Sequence, residues 1–372
     1  FYSYCNQEGW CLEYDGADPG YLSATVSFLG KIYKHRESEP RVAADKRMKE
    51  VMLKAVDFCS CFAYPNGHYA GTAGSRQTLH FYPHGFELLA PEYPPAASVA
   101  DHLLKGLRDG ALVPPEIQGD RYYQYRVPEF LLSYADYGNR PAELPPLPWE
   151  GKSFSTYFPE GRYYMQKSST RYLVVNLAKG GVVKYFDTES QNILANDCGL
   201  LAELEDGRIV TSQWIDKDYD VEAGNNQLRC KGTAHIVPTK VFTPVKFIIF
   251  RLVMLAFGWN TWLAYQIKGG IRRLLMTKAK KMPLRFERII ETSGDALTLY
   301  DTIELDGNAR VRRVLLGDEM PVRYVPQSRY FQPQELHVDG DWLTRDQVSQ
   351  LNRERHITIT RQLPERQKPT GA

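Results

Sequence analysis

Residues 141–148 (PAELPPLP) constrain the fold more than any other stretch, because the four prolines lack backbone donors and cannot continue a helix. The run also separates two hydrophobic periods. Before it, Tyr21, Leu22, Thr25, Phe28, Leu29, Ile32 and Tyr33 recur at helical spacing. After a break at Pro40, Met48, Val51, Met52, Ala55, Val56, Cys59 and Phe62 do so again, and similar patterns cover 96–108 and 121–136. Beyond it come short β-rich runs at 162–166, 172–176, 182–186, 209–213, 235–238, 284–291, 296–304, 311–316 and 357–361. Turn signals such as Lys179-Gly180-Gly181, Asp206-Gly207, Asp306-Gly307 and Asp339-Gly340 separate them. The pattern predicts an α+β multidomain chain: helices over 1–140, a Pro-rich linker at 141–152, a large antiparallel β-sandwich over 153–362 and a disordered tail at 363–372. No internal repeat of fixed period is visible.

With 372 residues, 43% hydrophobic and 24% charged, the chain suits neither a disordered polymer nor a polytopic membrane protein. The 12% of aromatic residues fits sugar-stacking surfaces and β-rich cores equally, so the core is the default. Net charge is +2, yet residues 240–281 carry nine basic side chains and no acidic one, which leaves −7 for the remainder. An acidic body without a base-reading motif argues against nucleic acid as a partner. The six cysteines do not follow zinc-site spacing and read as buried thiols, although Cys5 and Cys11 could close a small loop in an oxidising compartment. The chain opens on Phe1 without the order of a signal peptide and reads as a fragment or processed piece, which says nothing about export.

The segment 241–281 reads as a basic, apolar helical insertion into the sandwich. Its run 247–257 (FIIFRLVMLAF) is too short, and with Arg251 too charged, to span a bilayer unaided. Phe247, Ile248, Phe250, Leu252, Trp259 and Trp262 supply apolar and interfacial side chains, while Lys268, Arg272 and Arg273 supply cations. Those ingredients suit a helix lying on an anionic membrane surface. The structural alternative is a helical excursion packed on the rest of the chain.

Two long loops hold the candidate chemistry. In 64–87, His68, Tyr69, Arg76, His80, Tyr82 and His84 crowd together among Gly67, Gly71 and Gly74. Tyr69 or His80 could move a proton next to a sugar carboxylate while Arg76 and His68 steady the developing charge. In 8–21, Glu8, Glu13, Asp15 and Asp18 lie beside Trp10, Tyr14 and Tyr21. Trp10, Glu13, Tyr14 and Asp15, with Tyr82 and His84, are candidates for binding sugar, and carboxylates beside aromatics also suit glycoside hydrolysis. Asp15 and Asp18 could instead cap the helix near Tyr21, which is the favoured reading for Asp18. His102, His235, His337 and His356 are isolated and read as structural. No nucleophile elbow, phosphate loop or metal-ligand spacing is present, so no cofactor or metal is expected.

The helical region, the 10–21 loop, the 76–87 stretch and the strand set RYLVVNLAKGGVVKYFD together resemble heparinase II/III-like and alginate-lyase-like proteins. The resemblance implies the C-terminal portion of an (α/α) toroid leading into the sandwich. It also implies a cleft between the two that binds an acidic polysaccharide and cleaves it by β-elimination, with Tyr and His on the toroid carrying the reaction. His68, Tyr69, Arg76, His80 and Tyr82 are the dense match; the basic insertion stands outside the family pattern. The expected place is the cell envelope, peripheral to a membrane. Two other classes stay open: a glycoside hydrolase, and a non-catalytic membrane-associated glycan-binding or assembly protein.

Overall fold

In a computed structural model, the described residues are 2–13, 15–38, 45–114, 120–138, 140–224, 226–237, 244–272, 281–317 and 341–363. The N-terminal region holds α1 (Pro19–Ser38), α2 (Lys46–Ser60), α3 (His84–Leu89), α4 (Pro94–Arg108) and α5 (Asp120–Ala135), preceded by the two-residue strands β1 (Leu12–Glu13) and β2 (Gly16–Ala17). Asp18 caps α1 by accepting from the Tyr21 amide at 3.1 Å, and Pro19 follows where a missing donor costs nothing. Asp45 caps α2 in the same manner through the Met48 amide. Helices α1 and α3 approach closely at Gly85, where a β-carbon would lie 2.4 Å from Ser27 Cα. Only glycine permits that contact.

Helix α5 is unusual in turning a polar stripe inward: Arg126, Glu129 and Ser133 are buried, while Tyr123, Tyr125, Leu131 and Tyr134 are exposed. Its spacing of i, i+3 and i+7 is helical, but the buried side chains are held by polar partners rather than by apolar contact. Glu129 accepts from Ser27 and Lys31 of α1, and Arg126 donates to the Val113 and Phe81 carbonyls at 3.2 and 3.4 Å. On α1 itself, Phe28 and Ile32 stay exposed although their spacing placed them on the apolar face.

The strands form two further sheets. Five consecutive strands, β3 (Phe154–Phe158), β4 (Tyr163–Lys167), β5 (Arg171–Asn176), β6 (Val182–Asp187) and β7 (Ile193–Asp197), make a meander. The larger sheet contains β8 (Leu200–Leu204), β9 (Ile209–Thr211), β10 (Asp220–Ala223), β11 (Gln227–Ile236), β12 (Lys281–Ser293), β13 (Ala296–Leu305), β14 (Val311–Leu316), β15 (Asp341–Trp342) and β16 (His356–Leu363). Its order is β15-β14-β8-β9-β11-β12-β13-β16, with β10 alongside β11. Every strand pairing among the described residues is antiparallel. The chain is therefore a mixed α+β protein built around a large antiparallel sheet.

The five-stranded sheet is buried on both faces. Tyr163, Met165, Tyr172, Val174 and Phe186 join the hydrophobic cluster of the helices. Their neighbours Tyr164, Leu173, Val175, Val183 and Tyr185 join the cluster of the nine-stranded sheet. Alternation along each strand sends one set each way, which explains why these strands read as nearly continuous apolar runs. The stretch 141–152, which connects the helices to the strands, packs along its way: Leu147 and Trp149 enter the helical core, and Ser98 donates to the Pro145 carbonyl at 2.7 Å. Prolines stop the helix, and the apolar residues between them still gain by burial.

Between β11 and β12 stand α6 (Pro244–Phe257) and α7 (Thr261–Arg272), joined through Gly258–Asn260, with Asn260 accepting from the Leu263 amide at 3.1 Å. Helix α8 (Arg345–Glu354), not foreseen, opens on a capping box in which Thr344 and Gln347 satisfy each other's backbone amides. Strand β16 runs to Leu363, one residue into the stretch read as tail; 364–372 lie outside the described residues.

Candidate functional site

The loops 8–21 and 64–87 meet. Asp18 is the junction: beyond its capping bond, its second oxygen accepts from the Arg76 amide at 2.7 Å and the Thr78 amide at 3.4 Å. Arg76 pairs with Glu13 at 3.6 Å and lies over the Tyr21 ring, and the Ser75 amide donates to the Ala17 carbonyl at 2.9 Å. Burial raises the Asp18 carboxyl above its ordinary range, against the opposing pull of the three amides and the Arg76 charge.

The second loop is nevertheless an internal structural element. Its carbonyls are satisfied by side chains of the five-stranded sheet: Ala73 accepts from Tyr163 at 2.8 Å and Asn176 at 2.7 Å, while Lys179 donates to Thr72 and Gly74 at 2.8 and 2.6 Å. Lys179 is aimed there by the turn before β6, where Gly180 and Gly181 have φ of 74° and 76°. A β-carbon on Gly180 would lie 2.2 Å from the Ser212 carbonyl oxygen. Such backbone contact requires glycine.

Each residue expected to carry chemistry in 64–87 is buried. Tyr69 donates its hydroxyl to the Pro19 carbonyl at 2.8 Å, and burial, followed by the neighbouring Cys59 thiol, raises its pKa well above the ordinary phenol value. A phenol so placed stays protonated. His80 Nδ1 lies 3.2 Å from the Arg126 guanidinium; burial first and that charge second push its pKa well down, so the ring is neutral. The His68 amide turns onto Asn66, the Tyr82 amide donates to Ser23, and His84 pairs with Asp136 at 2.7 Å. Tyr14 lies outside the described residues.

A cleft of about 680 Å³ opens beside this junction. One wall comes from the N-terminal segment: Trp10, Leu12, Asp15, Gly16 and Ala17. The other comes from the sheets: Glu160, Arg162, Tyr163, Asn176, Asp216 and Lys217. Glu8 clamps the walls together, accepting from the Trp10 indole at 2.9 Å and from the Glu160 and Gly161 amides at 2.7 and 2.8 Å. A disulfide joins Cys5 to Cys11 at the rim. Trp10 is only 8% exposed, so little of its ring is open to a ligand.

Of the expected sugar-binding residues, Trp10 and Asp15 line this cleft, Glu13 is paired with Arg76, and Tyr82 and His84 do not reach it. Arg162, Asn176, Asp216 and Lys217 were not foreseen. Asp216 is held from behind at 2.9 Å by the wholly buried His235, which stacks on Trp214 at 5.4 Å. Only the isolated His235 hinted at a buried carboxylate partner, and nothing local fixed which. Among the described residues, no three His, Cys, Asp or Glu side chains gather in a metal-sized cluster.

The α6–α7 hairpin is exposed. Phe247, Ile248, Leu252, Trp259 and Trp262 face solvent, Trp259 with 79% of its surface, and Phe250 is half-buried. Lys268 and Arg272 lie on α7, but their side chains, and Arg273 altogether, fall outside the described residues. No helix among the described residues is long and apolar enough to cross a membrane. No protein-family model matches the sequence, and no curated protein matches it.

Proposed function

We propose that this chain is a membrane-associated glycan-binding protein, holding sugar rings in the cleft between its N-terminal loops and its first sheet. The carrying observation is the cleft's double wall, in which Asp15 on the N-terminal side and Asp216 and Lys217 on the side of the sheets line one space. Such convergent polar groups on an apolar floor are what a hydroxylated ligand requires. The resemblance to heparinase II/III-like proteins agrees with this reading: the helices stand for the toroid portion and the two sheets for the sandwich. Binding is favoured over elimination because Tyr69 and His80 are withdrawn from the cleft. The wall carries Asp15, Glu160 and Asp216 against Arg162 and Lys217, a balance that suits hydroxyl groups better than a row of sugar carboxylates.

The exposed apolar hairpin supports membrane association, its cations matching an anionic leaflet. The Cys5–Cys11 disulfide favours an oxidising compartment and hence the cell envelope.

Calorimetric titration with a panel of neutral and uronate-containing oligosaccharides tests the cleft. At least one should bind, and an Asp15→Ala/Lys217→Ala variant should bind it about tenfold or more weakly, because charged hydrogen-bond partners contribute roughly 1.5–3 kcal/mol each. Absence of binding across the panel, or equal binding by the variant, would sink the reading. New reducing ends would favour hydrolysis through Asp15 and Asp216, and an unsaturated uronate end would restore the lyase.

A further inference from the structure

A second concavity, of about 840 Å³, lies between β14 and α8 and is lined by Arg310, Arg312, Arg313, Arg345 and Arg353. Local structure gathers them. In β14 the register shifts between Val311 and Arg313, and such a bulge re-aims side chains, so the consecutive Arg312 and Arg313 both face outward. On α8, Arg345, Val348, Ser349, Asn352 and Arg353 recur at i, i+3, i+4, i+7 and i+8, one helical stripe. The 1.5 Å rise per residue sets its end cations about 12 Å apart along the axis. Asn352 fixes the helix to the strand, accepting from the Val311 amide at 2.9 Å and donating to its carbonyl at 2.8 Å.

The charges are not balanced. Arg310 pairs with Glu205 at 3.2 Å, Arg312 and Arg313 share Glu203 at 3.3 and 2.5 Å, and Arg353 meets Glu354 at 2.9 Å. Arg345 has no acidic partner among the described residues. It sits in the first turn of α8, where a cation opposes the helix dipole and so gains nothing for the helix. Exposed pairs of this kind hold weakly and exchange readily for ligand oxygens. All five cations are arginine, whose planar fork fits carboxylate and sulfate oxygens two at a time. Beside them Trp342 is 45% exposed, with the Arg313 guanidinium over its ring at 4.8 Å from the centre.

We propose that this groove binds the acid groups of an anionic polysaccharide. The inference rests on the glycan reading above and supplies the positive charge that the cleft lacks. Nucleic acid is the other polyanion whose oxygens arginine forks fit, and it enters as the comparison in the test; the glycan reading of the cleft favours a sugar acid.

Fluorescence anisotropy with labelled oligogalacturonate and a labelled heparin-derived oligosaccharide tests the groove, with single-stranded DNA as the comparison. Arg345→Glu/Arg353→Glu should weaken binding of at least one acidic oligosaccharide tenfold or more and flatten its salt dependence. Both side chains are exposed, so the unfolding midpoint should not move; Arg345→Lys should retain most of the affinity. The Asp15→Ala/Lys217→Ala variant should keep the salt-dependent component, which separates failure of the groove from failure of the cleft. The proposal falls if neither acidic oligosaccharide binds the wild-type protein, if charge reversal leaves their affinity unchanged, or if DNA binds more tightly than both.

Discussion

At His80 the imidazole is closed off from water and faces the Arg126 guanidinium, and both effects disfavour its protonated form. Its folded pKa lies below the unfolded value of about 6.5, so below that pH the unfolded chain binds the proton more readily. The contribution of a neutral His80 is therefore complete above about pH 6.5 and is lost as pH falls toward the folded pKa, at up to about 1.4 kcal/mol per pH unit. His102, lowered by burial and bonded to the Tyr64 carbonyl at 2.7 Å, acts in the same direction. We expect urea unfolding free energies to decline from pH 6.5 to 5, and His80→Gln to reduce that slope; an identical slope in the variant would refute the assignment. That His80 and Tyr69 are buried rather than exposed was not legible in the sequence, for a definite reason. Polar residues among glycines look like an exposed site, and the groups that meet them, Arg126 for His80 and the Pro19 carbonyl for Tyr69, stand 46 and 50 positions away. Asp18 was legible as a cap because its partner Tyr21 is local.

Four strands are tied by four buried charges. Asp197 ends β7 in the smaller sheet, while Arg288, Asp301 and Arg361 come from β12, β13 and β16 of the larger one. Arg288 meets Asp197 at 2.5 Å and Asp301 at 2.6 Å, and Arg361 meets Asp197 at 2.6 Å and Asp301 at 2.8 Å. Burial alone would raise the Asp197 carboxyl, but the two arginines outweigh it and bring it down to about 2. Two positive and two negative charges cancel, so the set is tolerated as a whole and intolerant of losing one member. Arg288→Ala, which leaves two carboxylates sharing a single cation, should lower the unfolding free energy by about 3–5 kcal/mol. A denaturant midpoint within error of wild type would contradict this. None of these pairings follows from the sequence, since charges as far apart as Asp197 and Arg361 meet only once both sheets exist. The strands themselves were legible where Gly-Gly or Asp-Gly turns bounded them. Helix α8 carried a readable Thr-x-x-Gln signal, and its polar composition hid it.

The molecule as a whole separates its surfaces by chemistry: a cleft of mixed charge, an arginine groove and an exposed apolar hairpin. Helix α6 has 14 residues, about 21 Å at 1.5 Å per residue, short of the roughly 30 Å hydrocarbon core. It can therefore lie in the interface with its partner α7 but not span it. On the membrane proposal, the nine basic residues of 240–281, with no acid among them, require the surface it meets to be anionic. Each such residue near an anionic leaflet contributes about 1 kcal/mol, and each Trp adds apolar area at roughly 25 cal/mol per Å². Co-sedimentation with phosphatidylserine-containing vesicles should thus be strong in low salt and weaker as salt rises. Lys268→Glu/Arg272→Glu/Arg273→Glu should abolish it by turning attraction into repulsion, and Trp259→Ser/Trp262→Ser should weaken it on anionic and neutral vesicles alike. The two variants separate charge from depth: only the first should matter more at low salt. If neither variant moves the bound fraction, or if the wild-type protein ignores vesicles and instead forms dimers that the tryptophan substitutions disperse, the hairpin is an interface between copies of this chain and the membrane reading fails.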